Sequence, residues 1–197
     1  MMRKFLHVAM LPLVMLVMTG CLVRALNPWL SEATKVNDIP LAGVWYDEKS
    51  DVAAFFAVDG DHYRMMVVND RKETACYTAS LHRLEGKLLL QLGPDNREMN
   101  VATLPACLLF RVDMDKESMQ IFNIDAENFD KQIVNNKIAN MVSGNKKDGF
   151  VINAPTADLT EFIRGKLKDP NLFCAKPMYQ FRKISISSAP AGNTSAK

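Results

Sequence analysis

Histidine is scarce: three occur in 197 residues, and His7 falls in the N-terminal apolar stretch, which leaves His62 and His82 for the folded chain. That scarcity weighs against hydrolases, whose nucleophile needs a histidine oriented by an acid. Neither a G-x-S-x-G elbow nor an H-E-x-x-H pair is present. The four cysteines include no CxxC pair, so a redox motif and a regular metal-ligand spacing are both missing. An excess of one charge is missing too. Lys and Arg number 24, Asp and Glu 22. With Arg3 and Lys4 assigned to the N-terminal leader the two signs balance, and nothing argues for nucleic acid as a partner. The apolar run falls short of the ~20 residues that a membrane-spanning helix needs. Nothing in the composition calls for a metal or any other cofactor.

What is present begins with that leader. Arg3 and Lys4 precede an apolar run from Phe5 to Met18, broken only by His7 and Pro12, and small residues follow at Thr19-Gly20. This is the pattern of a cleaved export signal over residues 1–20. Leu16-Val17-Met18-Thr19-Gly20-Cys21 resembles a bacterial lipobox. The resemblance implies a Cys21 thiol that is diacylated with fatty acids of the palmitate kind and becomes the first residue of a membrane-anchored lipoprotein. Leu22 follows it where an aspartate is associated with inner-membrane retention, so in a Gram-negative cell the expected address is the periplasmic face of the outer membrane. Residues 21–40 lack strand alternation and end at Ile39-Pro40, which reads as a tether, with Asn27-Pro28 capping a short helix through Trp29 and Ala33. Cys76, Cys107 and Cys174 remain in a chain that matures under oxidising conditions, so one disulfide among the three is expected, with its pairing open.

From residue 41 the pattern is that of strands. Val52 to Asp59 and His62 to Val68 flank Asp59-Gly60-Asp61, Cys76 to Leu84 and Lys87 to Leu92 flank Glu85-Gly86, and Leu108 to Met114 and Ser118 to Ile124 flank Asp115-Lys116-Glu117. Three successive hairpins without an intervening helix predict an antiparallel meander. Alternation puts Tyr77, Ala79 and Leu81, and likewise Leu108, Phe110, Val112 and Met114, on buried faces. Ala53 to Val58 and Met65 to Val68 are apolar on both faces, so their outer side needs a cover, for which the later helices are the natural source. Those helices are read at Asp125 to Val142, with Phe129, Ile133, Ile138 and Met141 on one side, and after a Thr156 N-cap, with Leu159, Phe162, Ile163 and Leu167 as the stripe. A short strand at Phe150 to Ile152 lies between them, Met178 to Ile186 reads as the last strand, and residues 187–197 form a small, polar, disordered tail.

Leu41-Ala42-Gly43-Val44-Trp45-Tyr46 carries a Gly-x-Trp element, and here the chain resembles the lipocalin-like barrels. Asp51-Val52, Tyr63-Arg64, Leu81-His82-Arg83-Leu84 and Ala154 to Leu159 with Phe162 and Leu172-Phe173 are similar to a group of uncharacterised bacterial lipoproteins. The resemblance implies a mainly β domain over residues 41–186: a barrel of about eight antiparallel strands, with two C-terminal helices outside it or across one end. It implies no catalytic residues. Among the chemistry-bearing residues, His62 and His82 read as surface positions. Asp59 with Asp61 and Asp113 with Asp115 read as turn residues, so the chain is expected not to be an enzyme. Two uses remain. Trp45, Tyr77, Ala79, Leu81, Leu90, Phe110 and Val112 are candidates to line a pocket for an apolar or amphipathic, lipid-like ligand. Alternatively, a filled barrel docks on an envelope protein as an inhibitor or assembly subunit, through loops such as Asn69 to Glu73 and Asp95 to Thr103.

Overall fold

The computed structural model describes residues 22–95, 106–134, 136–145 and 147–185. The lipobox cysteine, most of the Asp95 to Thr103 loop and the C-terminal tail lie outside the described residues. The three hairpins form where turn chemistry and alternation place them: β2 Gly43–Asp47, β3 Val52–Asp59, β4 His62–Val68, β5 Thr74–Leu84, β6 Lys87–Pro94, β7 Cys107–Met114 and β8 Ser118–Asn123. The last strand, β11 Tyr179–Ile184, pairs antiparallel with β8 on one edge and with β2 on the other. Each of these eight strands therefore has two neighbours, and the meander closes into an antiparallel barrel.

The chain before the barrel is no tether. β1, Val23–Ala25, runs antiparallel to β7 and parallel to β10, Gly149–Ile152, which in turn pairs with β9, Val142–Asn145. Trp29 and Leu30 are 0% and 1% exposed. The Trp29 indole N–H donates to the Cys107 carbonyl at 3.1 Å, and the Leu30 N–H donates to the Gln91 side chain at 2.9 Å. Asn27 caps no helix. Its side chain donates to the Ala154 carbonyl at 3.0 Å, and the one helical turn here is a 3-10 turn at Glu32–Thr34. Apolar residues spaced irregularly carry no periodic signal, and these are fixed by distant partners that only the folded chain assembles.

The helices also differ from the periodicity reading. α1 spans Ala126–Ile133, capped by the Asp125 carboxylate on the N–H groups of Glu127 and Asn128. It stops well short of Val142. The Asn136 side chain accepts the Ile138 N–H at 3.2 Å, an Asx turn that competes with helix, and Val142–Asn145 is drawn into β9. Gly144 sits there at φ +95°, where a Cβ would collide with the Gly149 carbonyl oxygen. α2, Thr156–Lys166, begins one residue after Pro155 and buries Leu159, Phe162 and Ile163.

Two apolar cores result, one on each side of the barrel wall. Inside lie Trp45, Phe56, Met65, Leu81, Leu90, Phe110, Ile121 and Phe181 with their neighbours. Outside, Leu84, Leu89, Leu109 and Phe122 on the outer faces of β5 to β8 pack with β1, Trp29, β10 and both helices. Phe129 is central to this core, 5.0 Å from the Phe150 ring and 6.1 Å from the Phe162 ring. The helices thus cover β5 to β8 and not β3 and β4, where the two-faced apolar runs called for them. Val44, Phe55 and Met66, with Ile184 and Cys76 at the ends, instead form one register row across the outer wall. In that row Ile184 is 45% and Met66 36% exposed.

Replacing Trp29 by Ala separates a tether from a structural strap. The expected loss is ~3–5 kcal/mol of unfolding free energy, typical of a buried tryptophan, read by urea denaturation of the purified protein. A tether residue would leave the midpoint unchanged.

Candidate functional site

All seven residues expected to line a pocket converge on the barrel interior. Trp45, Ala79, Leu81, Leu90, Phe110 and Val112 belong to the inner core, and Tyr77 packs against it. One end of the lumen is stopped by the chain leading into β2. The Val36 N–H donates to the Leu81 carbonyl at 2.9 Å, and the Tyr63 hydroxyl donates to the Ile39 carbonyl at 3.1 Å. Leu41 is 0% exposed, and its carbonyl accepts the Trp45 indole N–H at 2.9 Å. The Gly-x-Trp element has a physical reason here. Gly43, at φ +135°, has no Cβ, and the Lys183 side chain passes within 2.8 Å of where one would stand. The Lys183 ammonium lies 5.2 Å from the centre of the Trp45 ring.

The other end carries half-buried Tyr77 and Tyr179, which with Val67, Leu108 and Met178 pack against the inner core. Burial pushes both phenols above their ordinary pKa, and Tyr77 itself adds to the effect at Tyr179. The Tyr179 and Phe181 rings stand 5.4 Å apart. Asp47 closes the adjoining turn: it accepts the N–H groups of Lys49 and Ser50 and, from across the barrel wall, that of Gln180 at 2.9 Å.

His82 is not at the surface. Its strand does turn it away from the lumen, but Thr34 and its neighbours cover that face, and the ring is 0% exposed. Its Nε2 is 2.8 Å from the Ser80 hydroxyl and its Nδ1 2.9 Å from that of Thr34. Burial lowers its pKa to about 4, so the ring is neutral at neutral pH. A serine hydroxyl on an imidazole is the start of a nucleophilic arrangement, but the third position holds a hydroxyl where a carboxylate would orient the base. The geometry ties the 3-10 turn to β5. Sequence spacing gives Ser80 and His82 on one strand face but cannot supply Thr34. His62, by contrast, stands half-exposed on its hairpin, 3.0 Å from Asp61. Asp115 accepts the N–H groups of Glu117 and Ser118, as a turn aspartate does.

Cys107 and Cys174 are free thiols, on β7 and in the segment after α2, so neither forms the expected bridge; Cys76 is half-buried on β5. Two clefts, of about 270 and 290 Å³, lie on the helical flank; Lys137, Asp158 and Glu161 line the first, Lys87, Arg111 and Lys168 the second. Neither is lined by an inward barrel residue. Lys137 is paired with Asp158 at 2.6 Å. Arg111 lies over the Phe122 ring at 3.9 Å and bonds to Asp113 at 3.3 Å. No family model, curated protein or solved structure matches the chain.

The buried imidazole sets an acid dependence. His82 protonates near pH 6.5 when unfolded but only near about 4 when folded, so stability is complete above pH 6.5 and falls as pH drops toward 4. The loss amounts to ~3 kcal/mol. Urea midpoints measured across that window should decline in the wild type and decline less in His82→Gln; parallel curves would contradict the assignment.

Proposed function

We propose that the protein is a non-catalytic lipoprotein of the cell envelope, anchored through Cys21, whose filled barrel is a scaffold offering its outer wall to another envelope protein. In a Gram-negative cell its place is the periplasmic face of the outer membrane. The observation that carries this reading is the apolar row Ile184, Val44, Phe55 and Met66 across four adjacent strands, in which Ile184 is 45% and Met66 36% exposed. A contiguous exposed apolar face on a soluble domain is characteristic of an interaction surface. The lumen supports the same view. An eight-stranded barrel is just wide enough to be filled by its own side chains or to hold one small ligand. Here Trp45, Leu81, Leu90, Met119 and Phe181 are each at most 2% exposed.

A lipid-like ligand in the barrel is the second reading. It is favoured by the asymmetry of the two ends: one is stopped by Val36 to Leu41, the other bears the half-buried Tyr77 and Tyr179. An apolar chain would enter between these phenols and displace side chains toward Ala79.

Photocrosslinking in cells from position 55 should trap a discrete envelope protein, and Met66→Lys should abolish the adduct while leaving the circular dichroism spectrum unchanged. Equal crosslinking from Glu117, at the far hairpin turn, would overturn the docking surface. Native mass spectrometry of the domain should give a clean apo mass. A reproducible lipid adduct that disappears in Ala79→Phe would put the ligand reading first. Cys21→Ser should give an unprocessed or soluble form, and normal membrane fractionation of that variant would sink the anchor.

A further inference from the structure

We infer that the protein lies directly on the bilayer surface, with the β9–β10 turn against phospholipid headgroups, rather than hanging from it on a flexible tether. This rests on the acylation of Cys21 proposed above. Cys21 precedes Leu22, whose carbonyl accepts the Phe150 N–H at 3.2 Å. Val23 is 4% exposed and stands in register with Phe150. The strand it begins is held on both edges, by Leu108 and Cys107 of β7 and by β10, and the Leu26 N–H then donates to the Ile152 carbonyl at 2.9 Å. One peptide unit, ~3.8 Å between Cα atoms, is all the chain between the acylated residue and a hydrogen-bonded backbone. Acyl chains in the hydrocarbon therefore fix the start of β1 at headgroup level.

Parallel pairing then selects the surface beside it. Because β1 and β10 run in the same direction, the chain entering β1 lies alongside the chain entering β10, which is the turn from Asn145 to Gly149. That turn suits a polar, phosphate-bearing layer. The Asn145 side chain accepts the Lys147 and Asp148 N–H groups at 2.8 and 3.1 Å and donates to the Asp148 carboxylate at 2.7 Å. Lys147 and Asp148 are both exposed, so the turn offers charge of both signs to a headgroup layer that itself carries both. The far end of the barrel follows. Four antiparallel pairings separate β3 from β7, so the two run in the same direction and β1 runs against both; the β2–β3 turn therefore lies at the end away from the start of β1.

The test uses the full acylated protein in vesicles of phosphatidylethanolamine and phosphatidylglycerol carrying lipids brominated near the headgroup. Tryptophan is introduced as Lys147→Trp or, separately, as Lys49→Trp in the exposed β2–β3 turn, while Trp29 and Trp45 give a constant buried background. Emission from position 147 should be quenched several-fold more than that from position 49. Inserting roughly ten Gly and Ser residues between Cys21 and Leu22, a spacer of ~17 Å, should remove the difference. Equal quenching at the two positions without the spacer would overturn the orientation. Intact-mass measurement reads the acyl groups independently: their absence defeats both the anchor and the orientation, and their presence with equal quenching defeats the orientation alone.

Discussion

Closure of the barrel depends on one strand. β11 fills the gap between β2 and β8, with Lys183 opposite Trp45 and Phe181 opposite Met119. Without it β2 and β8 would each present a row of unpaired backbone groups, and the inner core would open along its length. With it the backbone of all eight strands is paired, and the lumen becomes an enclosed apolar space that Trp45, Met119 and Phe181 help to fill. The N-terminal segment completes the enclosure, since Val36 to Leu41 cannot stop the lumen until β2 has a partner on each side.

The hairpins were legible because their signals are local. Asp59-Gly60-Asp61 and Glu85-Gly86 supply turn backbone, with Gly60 at φ +66° and Gly86 at φ +75°, and strict alternation fixes which side chains enter the lumen. Alternation likewise turns Tyr77, Ala79, Leu81, Phe110 and Val112 inward, on strands whose two faces differ in polarity, whereas Trp45 was singled out by its Gly-x-Trp element. What the sequence hid was decided at long range. Trp29 and Leu30 are apolar residues in a polar, aperiodic stretch, and they are held by Cys107 and Gln91, partners 78 and 61 residues away. His82 alternates as a wet-face residue and becomes buried only because Thr34 lies over it. The period across Asp125 to Val142 was real for the first part, but periodicity does not report that Val142 and Ser143 find better partners in Ile152 and Val151.

The outer wall shows how one surface divides into two roles. Strands β5 to β8 carry Leu84, Leu89, Leu109 and Phe122 outward, and the C-terminal half of the chain is spent covering them. β2 to β4 carry Val44, Phe55 and Met66 outward in register. The two-faced apolar character of β3 and β4 was evident from sequence, yet among the described residues the chain's own helices cover the other wall. Assigning a cover from pattern alone fails because both outer walls have the same hydrophobic requirement, and only the connections decide which one the helices can reach.

β1 has a consequence for the order of folding. Its three residues pair with β7 and with β10, more than 80 and more than 120 positions later in the chain, and β2 waits still longer for β11. β10 and β11 come late in the chain, so β1 and β2, written first, are among the last strands to gain both of their partners. Loops of that length must be closed before any of their contacts contribute. The domain therefore belongs with slow, high-contact-order folders, and β1 lacks one of its two partners until the carboxyl-terminal third has arrived.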